Sequence, residues 1–158
     1  LYDIFIEQFL LTDMNGRKTA VVVRLILEKE NKILFLKKTV QNGGGFSLVG
    51  GKLDDGESAH DAIVRESHEE ANIEIKRKHL RLLHIFQRHS GSELILLFTT
   101  KKWKGEPESK ELDKFKKVSW IDKNDLPKNV SQVTKHLVDK YFTRKFFSEE
   151  NILKGTNK

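Results

Sequence analysis

The chain alternates short β-rich runs with helical segments, and this alternation limits its fold more than any other feature. The first run, residues 19–27 (TAVVVRLIL), is rich in β-branched residues and shows little polar alternation, and a second run follows at residues 32–36. The polar residues 28–31 separate the two runs. The sequence therefore predicts a β-hairpin in this region.

A glycine-rich loop and a short strand follow the hairpin. Residues 41–45 read QNGGG, and three consecutive glycines would lose too much backbone entropy inside a helix or strand. Residues 46–49 are predicted to form a short strand that leads into Gly50 and Gly51.

Residues 58–71 have the pattern of a helix with defined ends. Ser58 and Asp61 have the spacing of a capping motif, in which the serine hydroxyl satisfies an amide of the first turn. Asn72 stands where the helix should end, and asparagine tolerates the left-handed conformation of a C-terminal cap.

The second half of the chain predicts three more strands and a second helix. The strands are expected at residues 81–86, 93–99 and 118–121, and the helix at residues 131–146. No internal repeat and no shift in composition divides the chain. We therefore expect one mixed α/β domain over residues 1–147, a sheet with helices on its faces, and a flexible polar tail over residues 148–158.

Composition limits the chemistry that this chain can perform. It has 158 residues, of which 37% are hydrophobic and 33% charged, and no apolar run approaches the roughly 20 residues that a membrane-spanning helix needs. Cysteine is absent, which excludes disulfides and cysteine-based metal sites or nucleophiles. Residues 1–11 lack the basic start and small-residue cleavage site of a signal peptide, so we expect a cytoplasmic protein.

The net charge of +6 would favour a polyanionic partner through the overall electrostatic field. The basic residues are scattered rather than gathered into one stripe, which is also typical of a solvated lysine-rich surface. Charge alone therefore does not separate a nucleotide-binding protein from any other basic protein.

Three carboxylates crowd one face of the helix predicted at residues 58–71. Glu66, Glu69 and Glu70 stand at positions i, i+3 and i+4. Like charges at this spacing cost about 0.2–0.5 kcal/mol each, and Arg65 is the only arginine or lysine that can reach them along the helix. Mg²⁺ often bridges such carboxylates to substrate phosphates, although acidic helix faces are also common on plain solvated surfaces.

The residues around these carboxylates extend the pattern. Reading outward gives Gly51, five residues, Glu57, seven residues, Arg65 and Glu66, and then Glu69, Glu70, Asn72 and Ile73. This resembles the signature of the Nudix hydrolase family, G-x5-E-x7-R-E-U-x-E-E-x-G-U, where U is a bulky aliphatic residue. Every charged position is present.

Three positions depart from what is usual in that family. Ser67 replaces an aliphatic residue and should loosen the helix packing slightly. Asn72 replaces a glycine but can still adopt the left-handed cap. Val49 stands where relatives often place a proline, and it touches no expected ligand.

The resemblance implies an α/β/α sandwich with a mixed β-sheet, in which the signature forms a loop-helix-loop. It implies a bound divalent ion, Mg²⁺ or alternatively Mn²⁺, whose ligands would be the Gly50 carbonyl and the carboxylates of Glu66, Glu69 and Glu70. Arg65 would hold Glu57 and a neighbouring glutamate in place, since the planar guanidinium suits carboxylates.

A second stretch, residues 103–127, resembles the W-x-G-E-P-x-x-K-E run and the later tryptophan strand of mutator-type relatives. In those proteins a glutamate after the G-E-P turn can approach the metal from a loop. Glu111 is the best match, and Glu106 and Glu108 on either side of Pro107 remain alternatives. The stretch would otherwise be a solvated acidic loop.

Hydrolysis of an anhydride needs an activated water, which a carboxylate within hydrogen-bond reach can deprotonate. Glu70 is our first candidate for this general base and Glu111 is the second. Arg65 and Glu57 complete the catalytic residues that the resemblance implies.

Substrate choice rests on weaker features. Relatives that cut ADP-ribose often carry a proline about 16 residues past the signature, and diadenosine polyphosphate hydrolases carry a tyrosine, whereas residues 86–92 (FQRHSGS) contain neither. No match to the upstream motif of coenzyme A hydrolases is present. By elimination we expect a nucleoside triphosphate, cleaved to the monophosphate and pyrophosphate.

Four residues are candidates for binding this substrate, although each would also fit an ordinary surface or core position. Lys38 and Arg88 would contact phosphates, Phe46 would stack on the base and Asn129 would read the edge of the base.

Two other functions remain open from the sequence. A non-catalytic relative would bind a nucleotide or nucleic acid as a regulatory module, but such modules tend to lose signature glutamates or gain a DNA-binding domain. An RNA-processing hydrolase draws support only from the net charge. We expect a small nucleotide as the partner rather than a nucleic acid or a membrane, and a monomer or homodimer.

Overall fold

A computed structural model describes residues 19–150, which contain eight strands and two helices. The strands are β1 (Ala20–Ile26), β2 (Glu28–Lys29), β3 (Lys32–Lys38), β4 (Phe46–Ser47), β5 (Arg81–Arg88), β6 (Glu93–Thr99), β7 (Phe115–Asp122) and β8 (Phe147–Glu149). The helices are α1 (Ala59–Ala71) and α2 (Gln132–Thr143). Neither helix is long and apolar enough to cross a membrane.

The strands form two four-stranded sheets rather than the single sheet expected from the sequence. The first has the order β1-β6-β5-β8 and is mixed, because β1 runs parallel to β6 and β8 parallel to β5, whereas β5 and β6 are antiparallel. In the second sheet, β3 pairs with β7 along one edge and with β2 and β4 along the other. Isolated bridges from Val49 and Lys52 to β1 connect the two sheets.

Two hydrophobic clusters cover both faces of the central strands. One cluster joins α1 to the sheets through Val23, Leu25, Leu34, Leu36, Ala62 and Ile63. The other joins α2 to the sheets through Val22, Ile26, Ile33, Phe35, Leu137 and Val138. Because helices cover both faces, β1 and β3 need apolar residues at nearly every position, which explains their lack of alternation. The expected α/β class and sandwich arrangement are confirmed.

The predicted hairpin is present, but it joins β2 to β3. Glu30 and Asn31 have φ values of 51° and 61°, as in the tight two-residue turns that suit twisted antiparallel strands. The preceding strand β1 instead pairs in parallel with β6, from Ala20 opposite Glu93 to Ile26 opposite Thr99. Local spacing reveals the turn, whereas the partner of β1 lies far away in the sequence.

Helix α1 begins and ends as the sequence predicts. The amide of Asp61 donates to Oγ of Ser58 at 3.2 Å. Asn72 adopts the left-handed conformation, with φ 55° and ψ 31°. Ser67 is fully buried, and its hydroxyl donates to the Ile63 carbonyl at 2.6 Å, so the polar group at this aliphatic position is satisfied within the helix.

The prediction for the C-terminal region needs correction. Helix α2 ends at Thr143, and residues 148 and 149, which were expected in a flexible tail, belong to strand β8. Ser148 lies opposite Phe86 of β5 and is buried. Three residues are too few to show a periodic pattern, so the pairing with β5 decides their structure. The rest of the expected tail, residues 151–158, lies outside the described residues.

Ser148 connects β8 to both neighbouring elements through two histidines. Its Oγ lies 2.8 Å from Nε2 of His84 and 2.8 Å from Nε2 of His136. The other ring nitrogen of His84 faces the Lys145 carbonyl, which can only accept, so Nδ1 of His84 carries the proton and Nε2 accepts from Ser148. The His136 ring then donates to Ser148. Burial lowers the pKa of both histidines, which agrees with neutral rings.

Replacing Ser148 by alanine should destabilise the fold. It would leave the buried Nε2 acceptor of His84 and the donor of His136 without a partner, at a cost of about 1–3 kcal/mol. Urea unfolding compares this variant with Ser92→Ala, which removes an exposed local hydrogen bond and should change stability by less than about 0.5 kcal/mol. Equal stability of the two variants would contradict the assigned hydrogen-bond chain.

Candidate active site

The turn formed by Gly50 and Gly51 is packed too tightly for larger residues. Gly50 has a φ of +130°, and an added Cβ would lie 2.1 Å from the Val23 carbonyl oxygen of β1. A Cβ on Gly51 would lie 2.2 Å from Oε1 of Glu66 on α1. The two glycines therefore allow this backbone to contact β1 on one side and a carboxylate of α1 on the other.

Glu70 is the buried carboxylate of the site. Its side chain is only 6% exposed, and its Oε2 accepts a hydrogen bond of 2.8 Å from the Gly50 amide. Burial raises the pKa of Glu70 to about 8, helped by the nearby charge of Glu66 and opposed by the Gly50 amide. A buried carboxylate with such a pKa lacks full compensation by positive charge.

Arg65 is the centre of an ion-pair cluster on α1. Its Nε and Nη2 atoms each lie 2.8 Å from a carboxylate oxygen of Glu57. Its Nη1 atom lies 3.0 Å from Glu66 and 3.1 Å from Glu69. The bond to Glu57 raises the pKa of Arg65 and lowers the pKa of Glu57. Arg65 thus holds Glu57 and two further glutamates, in the arrangement that the signature implies.

The three glutamates expected to bind a metal do not all converge. Glu66 and Glu70 adjoin the glycine turn, whereas Glu69 is 49% exposed and turns towards Arg65. Within residues 19–150, no group of three aspartate, glutamate or histidine side chains is arranged to hold an ion as it stands. Arg65 instead holds Glu66 and Glu69 on the same guanidinium nitrogen.

The oxygen atoms at this turn nevertheless suit a hard divalent ion. The carboxylates of Glu66 and Glu70 both adjoin the backbone of Gly50 and Gly51, and burial raises the pKa of both groups. Mg²⁺ and Mn²⁺ favour such oxygen ligands. Added positive charge here would offset the burial of these carboxylates.

The loop that carries Glu111 docks on the C-terminal end of α1. The Glu108 amide donates to the Ala71 carbonyl at 3.0 Å, and the Lys110 amide donates to the Glu70 carbonyl at 3.4 Å. The charge of Glu111 contributes to the raised pKa of Glu70, and Lys114 holds the Glu111 carboxylate at 2.7 Å. Glu106 and Glu108 are exposed residues of the same loop.

Two of the four predicted substrate-binding residues lie together. The Phe46 amide donates to the Asn129 carbonyl at 3.4 Å. The ammonium of Lys37, which the sequence did not single out, lies 4.3 Å from the centre of the Phe46 ring. Lys38 follows at the end of β3, where the register with β7 shifts between Lys37 and Lys38.

Arg88 lies apart from this pair in its own ion-pair cluster. Its guanidinium contacts Glu93 at 2.6 Å and Glu150 at 3.5 Å. Glu93 lies in β6 and Glu150 directly follows β8, so this arginine links the ends of strands on both sides of β5. The structure therefore pairs the Arg88 guanidinium with two carboxylates.

Sequence reasoning missed Arg24, which lies in the middle of β1. Its guanidinium donates to the Gly50 carbonyl, and the charges of Glu70 and Glu66 act on it. The sequence feature that could have identified Arg24 is its position as the single charged residue in the otherwise apolar run AVVVRLI.

Glu70 should make the stability of the metal-free protein depend on pH. Its pKa of about 8 in the fold exceeds the ordinary 4.5, so between these values the folded carboxyl keeps a proton that the unfolded chain has lost. This contribution is present at low pH and is lost as the pH rises through 8. The stability of the wild type relative to Glu70→Gln should fall by about 1.4 kcal/mol per pH unit from about pH 6 to about pH 8.

Urea unfolding of both proteins with excess chelator measures this difference. Comparison with the glutamine variant cancels the titration of the histidines, which both proteins share. A difference that stays constant with pH would show that Glu70 titrates as an ordinary carboxyl.

Comparisons with known proteins agree with this geometry. The family model of the NUDIX domain matches residues 16–143. An ADP-ribose pyrophosphatase of Methanocaldococcus jannaschii is 36% identical over 114 residues, which cover 69% of this chain and 65% of that protein. An 8-oxo-dGTP diphosphatase of Proteus vulgaris is 29% identical over 98 residues, which cover 59% of this chain and 85% of that protein.

Solved structures share the fold. The crystal structure of a MutT Nudix hydrolase from Burkholderia pseudomallei aligns with a TM-score of 0.68 and 24% identity, and the alignment covers 77% of this chain and 97% of that one. The family match spans most of the sequence and includes the glycine turn, α1 and the Glu111 loop. This chain therefore belongs to the Nudix hydrolase family.

Proposed function

We propose that this chain uses a divalent ion to cleave a phosphoanhydride bond in a nucleoside diphosphate-linked substrate. The observation that carries the proposal is the meeting of Glu66 and Glu70 with the backbone of Gly50 and Gly51, beside the Arg65 cluster. This arrangement brings two carboxylates to a turn in which Gly50 has no room for a side chain.

The ion would be held by the Gly50 carbonyl and by the carboxylates of Glu66 and Glu70, with Glu69 and Glu111 as further ligands. When bound, Mg²⁺, or Mn²⁺ as the alternative, supplies positive charge to phosphate oxygens and makes water a better nucleophile. Arg65 and Glu57 keep the α1 carboxylates oriented, because the fork of Arg65 fixes both oxygens of Glu57.

Glu70 is the first candidate for the general base. Its Oε2 already accepts the Gly50 amide, so Oε1 is the oxygen free to take a proton from the attacking water. Glu111 is the second candidate, since it lies near Glu70 on a separate loop.

A nucleoside triphosphate is the proposed substrate, cleaved to a nucleoside monophosphate and pyrophosphate. The 8-oxo-dGTP diphosphatase relative supports this class, as does the absence of proline and tyrosine from residues 86–92. ADP-ribose is the second candidate, because the relative from M. jannaschii that carries that activity in its name is 36% identical.

Product analysis separates the two substrates. With Mg²⁺ or Mn²⁺, a triphosphate should yield the monophosphate and pyrophosphate, whereas ADP-ribose should yield AMP and ribose 5-phosphate. Chromatography of both products over a panel of nucleotides, dinucleotides and nucleotide sugars identifies the preferred class. Release of inorganic phosphate alone would contradict cleavage to a monophosphate and pyrophosphate.

Turnover should require a divalent ion and the carboxylate of Glu70. Excess chelator should abolish hydrolysis, and Glu70→Gln should lower turnover by roughly 10² to 10⁴-fold, because the amide cannot act as a base. The variant should remain folded, which circular dichroism checks. Full activity in the presence of chelator, or unchanged turnover in a folded Glu70→Gln variant, would contradict the proposed mechanism.

Glu111 should matter more than its acidic neighbours. Its charge reaches Glu70, whereas Glu106 and Glu108 are exposed, so Glu111→Ala should lower turnover at saturating metal by at least about tenfold. Alanine variants of Glu106 and Glu108 serve as matched controls and should stay within about threefold of the wild type. A severe loss in either control with a mild effect at Glu111 would reverse the assignment.

A further inference from the structure

Arg24 is the single charged residue of strand β1. Its neighbours Val23 and Leu25 are almost completely buried, and the strand is otherwise apolar. A cation in such a strand is costly unless nearby groups compensate its charge. The structure shows which groups do so.

The guanidinium of Arg24 is directed at the glycine turn. It donates to the Gly50 carbonyl and, at 3.4 Å, to the Val23 carbonyl. Burial lowers the pKa of Arg24, and the charges of Glu70, Glu66 and Glu93 oppose that effect. Arg24 and the two α1 carboxylates therefore compensate one another across the turn.

The Gly50 carbonyl oxygen has two lone pairs, so the competition between the Arg24 guanidinium and a divalent ion at this oxygen is electrostatic rather than steric. An ion on this oxygen would lie within a few ångströms of the Arg24 charge, where like charges repel strongly in a partly buried site. This repulsion favours departure of the guanidinium when the ion arrives.

We propose that Arg24 is the resident counter-ion of the carboxylate site and leaves the Gly50 carbonyl when a divalent ion binds. Arg24 is then a positioning residue that sets the metal affinity of the site, and it holds Glu66, Glu70 and the turn together until the ion arrives. The inference rests on the proposed function in taking the Gly50 carbonyl as a ligand of the ion.

Removal of the Arg24 charge should strengthen metal binding. In Arg24→Met, which keeps an unbranched chain about as long as the aliphatic part of arginine, the dissociation constant for Mn²⁺ should fall by at least about tenfold, because the ion no longer displaces a cation. Arg24→Lys keeps the charge and should bind Mn²⁺ more weakly than Arg24→Met. Arg81→Met removes the same charge from an exposed position of β5 and should change the constant by less than about twofold.

Titration of each protein with Mn²⁺ alone, followed by electron paramagnetic resonance of the free ion, measures these constants without turnover. Arg24→Gln replaces Arg24→Met if circular dichroism shows that the methionine variant does not fold. If the wild type binds Mn²⁺ and neither neutral variant binds it more tightly, the inference about Arg24 fails while the proposed function stands. If the folded wild type binds no Mn²⁺, the metal-dependent function fails and the inference fails with it.

Discussion

The close approach of the Gly50–Gly51 backbone to β1 and α1 is the constraint on which the site depends. The Val23 amide donates to the Gly51 carbonyl at 2.8 Å, which ties the turn to the first sheet. The Gly50 amide donates to Glu70 at 2.8 Å, which ties the same turn to the helix. A side chain on Gly50 would meet the backbone of β1, and a side chain on Gly51 would displace the Glu66 carboxylate. The position of the carboxylates therefore follows from the packing of this turn.

This packing concentrates negative charge where water is largely excluded. Burial raises the pKa of Glu66 and Glu70. Two arginines compensate the negative charge of these carboxylates in different ways. Arg65 makes short ion pairs at the partly exposed side of α1 and fixes the rotamers of its partners. Arg24 lies on the other side of the turn and contacts the carbonyl that the resemblance assigns to the ion. A divalent ion would compensate the negative charge that the two arginines leave unbalanced.

Local patterns predicted α1 and its acidic face because caps and helical spacing act within a few residues, and Asn72 shows this most clearly. The sheet partner of β1 and the strand around Ser148 were missed, since both depend on pairing with distant residues. Arg24 was missed for a related reason, because its role depends on the neighbouring turn. The resemblance of residues 103–127 to mutator-type relatives singled out Glu111. The ion pairs of Arg88 with Glu93 and Glu150 were not predicted, because they join residues that are distant in the sequence or lie on different strands.

The central claim is that one divalent ion binds where Glu66, Glu70 and the Gly50 carbonyl meet. A crystal structure with Mn²⁺, examined by the anomalous scattering of the metal, tests it most directly. The account predicts an anomalous peak in contact with the Gly50 carbonyl oxygen and with carboxylates of α1, accompanied by movement of the Arg24 guanidinium away from that carbonyl. An active, Mn²⁺-loaded protein whose only anomalous peaks lie away from this turn would contradict the account.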